Sequence, residues 1–67
     1  MIQRFYFVGA KEAYLVIDHS NHVYNYYTKW EDHDPHAEYI TVSLRAIWDI
    51  LKDIKNAGYT ECEYRIE

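Results

Sequence analysis

The sequence holds one cysteine, one proline, one methionine and two glycines among its 67 residues. With only Cys62, no intramolecular disulfide can staple the chain, so packing must carry its stability. Gly9 and Gly58 stand far apart, which excludes a glycine-rich loop that cradles phosphates. No long apolar run exists either. The longest, Phe5 to Ala10, is far too short to span a membrane. Arg4 followed by only that run is not the layout of a signal peptide. A free thiol without such a signal points to a reducing, cytoplasmic setting. Positive charge is also scarce, with seven Lys and Arg against eleven Asp and Glu and a net charge of −4. That balance argues against direct nucleic-acid binding, which needs a basic patch. It suits a protein partner with a basic surface.

What the sequence has in abundance is aromatic side chains: eight tyrosines, two tryptophans and two phenylalanines. Each such ring offers roughly 150–250 Å² for burial. A domain of this size hides only about 60% of its unfolded surface. Some rings are therefore expected to stay exposed or to be covered by a partner, whether a second copy or another protein.

The chain is organised around residues 43–58, SLRAIWDILKDIKNAG. Leu44, Ile47, Trp48, Leu51 and Ile54 recur at three- and four-residue steps and predict one apolar stripe on an α-helix. Ser43 is a suitable N-cap, since its hydroxyl accepts a bond from an early orphan N–H. Gly58 suits the position just past the end, where a left-handed residue closes the helix. Lys52 and Lys55 lie toward the negative end of the helix dipole.

Before the helix, alternation predicts strands over residues 2–8, 12–18 and 23–28. Phe5 and Phe7 share a face opposite Arg4, Tyr6 and Val8. Ala13, Leu15 and Ile17 share a face opposite Tyr14 and Val16. Both strands are apolar on two faces, which predicts central positions. The third is tyrosine-rich and reads as an edge or a half-exposed strand. Turns fall at 9–11 and 19–22. Residues 29–38, with Pro35, two histidines and four acids, read as a surface loop. Residues 39–42 form either a short strand or the approach to the helix, with Ile40 and Val42 facing the core. After it, Thr60, Cys62, Tyr64 and Ile66 alternate with charged neighbours, predicting a last strand over 59–67. The expected fold is a single α+β domain over residues 1–67. Its order is β-β-β-(β)-α-β, a small antiparallel or mixed sheet of three to five strands with the helix packed on one face. The other face is expected to be poorly covered and to show Tyr6, Tyr14, Tyr24 and Tyr26.

Few residues suggest chemistry. His19/His22 and His33/His36 form two H-x-x-H pairs beside Asp18, Glu31, Asp32 and Asp34, a ligand set that suits zinc or another first-row metal. Loop-borne histidine pairs have no fixed geometry, and histidines are common in polar turns, so no native metal or other cofactor is assigned. Cys62 has no base beside it and reads as a structural thiol. Asp49 and Asp53 are one helical turn apart and read as a solvated face, with Arg45 and Lys52 beside Asp49. No constellation supports an enzyme.

The best functional signal is the run Tyr24, Tyr26, Tyr27 and Trp30 leading into Glu31, Asp32 and Asp34. Tyrosine and tryptophan are enriched at binding hot spots, and the acids would steer the surface toward a basic partner. The structural alternative is a tyrosine-rich core with a polar loop behind it. The first reading is a small non-enzymatic protein-binding module. Inhibitors that occupy the nucleic-acid site of another protein share this acidic, aromatic profile, and nuclease blockers of phages and mobile elements are one such class. This is an analogy of properties and not a sequence match. The alternatives are a self-associating homodimer and a histidine-based metal-binding domain.

Overall fold

A computed structural model describes residues 1–7, 13–29 and 33–66. The elements are β1 (Ile2–Phe7), β2 (Ala13–Asp18), β3 (Val23–Tyr27), β4 (Ile40–Val42), α1 (Leu44–Asn56) and β5 (Thr60–Glu61). They form one five-stranded mixed sheet in the order β4-β1-β2-β3-β5, with a single helix. The fold is α+β, as the sequence predicts. Val8, the 9–11 link, Glu12, Trp30, Glu31, Asp32 and Glu67 lie outside the described residues.

The first three strands make an antiparallel meander, with Phe5 opposite Leu15 and Leu15 opposite Tyr26. Residues 40–42 do join the sheet. β4 runs parallel to β1, pairing Phe5 with Ile40 and Phe7 with Val42. β5 runs parallel to β3, pairing Val23 with Thr60 and Tyr24 with Glu61. The helix therefore links the two opposite edges of the sheet. Four interstrand spacings amount to about 19 Å, and 13 helical residues rise about 20 Å, so α1 is long enough to reach across.

The helix ends are built as the sequence predicts. Ser43 caps the first turn by accepting a 3.1 Å bond from the Ala46 amide. At the other end, Tyr59 N donates to Ile54 O (2.9 Å) and Gly58 N to Lys55 O (3.1 Å). These are the two bonds of a Schellman motif, and Gly58 adopts the left-handed φ of 92° that it requires. Tyr59 then packs its ring on the core, supplying the hydrophobic contact that accompanies such a cap.

The core lies between helix and sheet and comprises Phe5, Leu15, Ile17, Tyr24, Ile47, Leu51 and Ile54, with Phe7, Tyr26, Val42, Ile50 and Tyr59 around it. Several sequence expectations need correction. Leu44 and Trp48 are not part of the buried stripe: they are 45% and 53% exposed, because they sit on its flank. Ile40, expected to face the core, is 52% exposed, since among the described residues no strand lies beyond the short β4. Of the two readings of the third strand, β3 is partly exposed and not an edge, because β5 continues the sheet beside it. The last strand is only two residues long, and the chain then leaves the β3 edge.

The face opposite the helix is covered, contrary to expectation. Residues 33–39 and the C-terminal segment 62–66 fold over it. Tyr14 and Val16, which point away from the helix, are 1% and 3% exposed. A five-stranded sheet has two apolar faces to bury, and one helix covers only one of them.

Candidate functional site

The tyrosine run of β3 splits between the two faces of the sheet. In a strand, successive side chains alternate, so Tyr24 and Tyr26 point toward α1 while Asn25 and Tyr27 point away. Tyr24 is buried in the core beneath the helix. Tyr26 is half-buried, and its ring stands 5.9 Å from that of Trp48. Tyr27 stacks on Tyr14 across the strand pair, with ring centroids 4.5 Å apart and planes 21° from parallel. Trp30, Glu31 and Asp32 lie outside the described residues. Asp34 is engaged in shaping its own loop: its carboxylate accepts from His36 N (2.9 Å), and its backbone N–H donates to the Tyr39 hydroxyl (3.0 Å).

On the face away from the helix, Tyr14 is the centre of an aromatic cluster. Tyr39 meets it edge-on at 5.9 Å, and His33 at 6.5 Å. His33 and Tyr39 also meet each other edge-on at 5.9 Å. The Arg65 guanidinium lies 5.8 Å from the Tyr27 ring centroid, within cation–π range. Beside these rings Arg4, Val16, Asp34 and Ile66 complete a shallow cleft with room for about one water molecule. That is too small for a substrate pocket.

Asn25 is the buried polar residue of this face that sequence reasoning missed. It is buried, and its amide makes three bonds to the C-terminal segment. Nδ2 donates to Cys62 O and Tyr64 O, each at 3.0 Å, and Oδ1 accepts from Ile66 N at 2.7 Å. A polar residue between two tyrosines hints that it faces away from the core. Nothing local indicates that its partner lies some 40 residues later.

The histidine pairs do not converge. His19 is held at both ring nitrogens, Nδ1 to the Tyr59 hydroxyl and Nε2 to Gln3 Oε1, each at 2.8 Å. His22 adopts φ 55° at the turn and packs edge-on against Tyr59 at 4.6 Å. His33 belongs to the Tyr14 cluster on the other face of the sheet. Among the described residues, no group of three or more His, Cys, Asp or Glu side chains is placed to hold a metal ion.

Among the described residues the exposed large apolar side chains are Met1, Ile40, Leu44, Trp48 and Tyr64, and two of them, Leu44 and Trp48, stand together on the helix. At about 100° per residue, Leu44 and Trp48 lie one turn apart on the flank of the buried Ile47–Leu51–Ile54 stripe. Lys55, Lys52 and Arg45 continue around the same side, all exposed. Asp49 borders Arg45 and Lys52, and Asp53 falls on the other side. Trp48 leans on Tyr26 from β3, so one candidate from the tyrosine run does reach this surface. The edge position of Trp48 in the helical pattern is a signal that was available in the sequence. No described helix is long and apolar enough to cross a membrane. Comparisons with protein-family models, curated proteins and solved structures found no match for this chain.

Proposed function

We propose that this chain is a small non-enzymatic protein-binding module that docks through the Trp48 face of α1. The observation that carries the reading is Trp48 itself. It is 53% exposed and rests against Tyr26, on a chain whose other aromatic-rich face is already covered. A large ring held on a rigid helix binds at little conformational cost, which is why tryptophan and tyrosine dominate hot spots. The acidic steering expected of the 30–34 segment rests on Trp30, Glu31 and Asp32, outside the described residues. Its described acid, Asp34, spends hydrogen-bonding capacity on its own turn.

The test is site-specific photo-crosslinking in cells that express the protein. A photoreactive residue in place of Arg45, beside Trp48, is expected to trap a discrete protein. The same residue in place of Glu61, in β5, is not. Trp48→Ala should abolish the crosslink at position 45. A crosslink at 45 that persists unchanged in Trp48→Ala would remove this reading.

A homodimer is the second reading. It is favoured by β4, a three-residue strand at the edge of the sheet among the described residues, with Ile40 52% exposed, where a second copy could add a strand. Sedimentation equilibrium tests it: a monomer at every concentration ends it.

A further inference from the structure

Three of the seven Lys and Arg residues of this acidic chain, Arg45, Lys52 and Lys55, lie on the same helical flank as Leu44 and Trp48. All three are exposed. Of the helix acids, Asp49 borders the flank beside Arg45 and Lys52, and Asp53 lies beyond it on the other side. α1 thus carries a cationic aromatic flank with Asp49 at its border. Exposed charges are largely screened beyond about 8 Å at physiological salt. A docking segment therefore meets the local cations before it meets the overall charge of −4.

We infer that the segment accepted by the Trp48 face is an acidic amphipathic stretch of another protein, the reverse of the basic partner that composition suggests. This rests on the binding reading above. The partner's apolar side chains seat on Leu44, Trp48 and Tyr26, and its carboxylates lie over Arg45, Lys52 and Lys55. A second copy of this chain fits less well. A two-fold contact through this flank would set its three cations against the same three of the partner. A nucleic acid also fits less well. Three cations neutralise only about three phosphates, and Leu44 gains nothing from a phosphate backbone.

The test is selection of a displayed library of random linear peptides against the full chain, with Trp48→Ala and Lys52→Glu/Lys55→Glu as parallel targets. The double charge variant alters only exposed side chains and keeps the test valid if Trp48→Ala is poorly folded. The expected result is enrichment of net-negative peptides with spaced apolar residues. Their affinity should fall roughly tenfold or more in the double variant and should weaken as salt rises. Enrichment of net-positive peptides that still require Trp48 overturns the inference about charge and leaves the binding reading standing. No enrichment dependent on Trp48 overturns both. A single-stranded oligonucleotide that binds more tightly than the selected peptides and requires Trp48 assigns the face to nucleic acid and overturns the inference. So does a concentration-dependent dimer abolished by Trp48→Ala.

Discussion

Asn25, in the middle of β3, accepts a 2.7 Å hydrogen bond from the backbone N–H of Ile66. The same side chain donates to the carbonyls of Cys62 and Tyr64. One buried amide thus serves as the partner that a sheet neighbour would have supplied, because β5 pairs with β3 for only two residues.

Replacing Asn25 by Ala should free the C-terminal segment. Losing bonds that satisfy buried groups costs about 1–3 kcal/mol, and urea unfolding is expected to show a loss in that range. Asn25→Asp should do no better, since a carboxylate cannot donate to the Cys62 and Tyr64 carbonyls. Faster amide exchange at Ile66 than at Leu15 in either variant would locate the effect in the segment.

Gly58→Ala isolates a backbone effect. A Cβ at this position would meet nothing within 4 Å, so any cost comes from holding a φ of 92°. About 1 kcal/mol of destabilisation is expected. Ser43→Ala, which removes the cap bond to Ala46, should cost a similar amount, about 1 kcal/mol. The two sites lie at opposite ends of α1, so their effects should add. Thermal unfolding of the two single variants and the double variant checks this.

The helix should show a sharp contrast between neighbouring positions. Ile47 is 0% exposed and lies in the core, so Ile47→Ala is expected to cost about 2–5 kcal/mol. Trp48→Ala, at a half-exposed flank, should cost far less in stability while removing partner binding. Urea unfolding of both variants gives the comparison. Equal losses would mean that Trp48 is a packing residue.

Asp18 governs the turn after β2. The side-chain amide of Asn21, foremost, and the backbone amides of Asn21 and Ser20 bond to its carboxylate and hold its pKa below the usual 3.8. Because the folded value lies below the unfolded one, the carboxylate contributes stability in full above the unfolded value. That contribution is lost as the pH falls from there through the folded value. Asp18→Asn should therefore lower stability near neutral pH and flatten its decline in acid. Urea midpoints measured on both sides of pH 3.8 test the sign.

What the sequence by itself determined was local and periodic. The helix, its Ser43 cap, its Gly58 terminator and the alternation of β1 and β2 all follow from interactions within a few residues, or from a repeat that matches the backbone's own period. The three-, four- and two-residue spacings state which side chains share a face, and Phe5, Leu15, Ile17, Ile47 and Leu51 are buried accordingly.

Only the tertiary structure decided what covers each face. The alternation of Thr60, Cys62, Tyr64 and Ile66 suggests a long strand, yet pairing stops at Glu61 and the segment turns onto the Asn25 amide. The tyrosines of β3 are identical in sequence terms, but Tyr24 is sealed under α1, Tyr26 supports Trp48 and Tyr27 stacks on Tyr14. Their fates depend on contacts between residues distant along the chain, and no local pattern encodes which distant segment arrives. The candidate site is a product of the same geometry: Trp48 is exposed because a narrow helix on a five-stranded sheet buries the centre of its stripe and leaves the flank open.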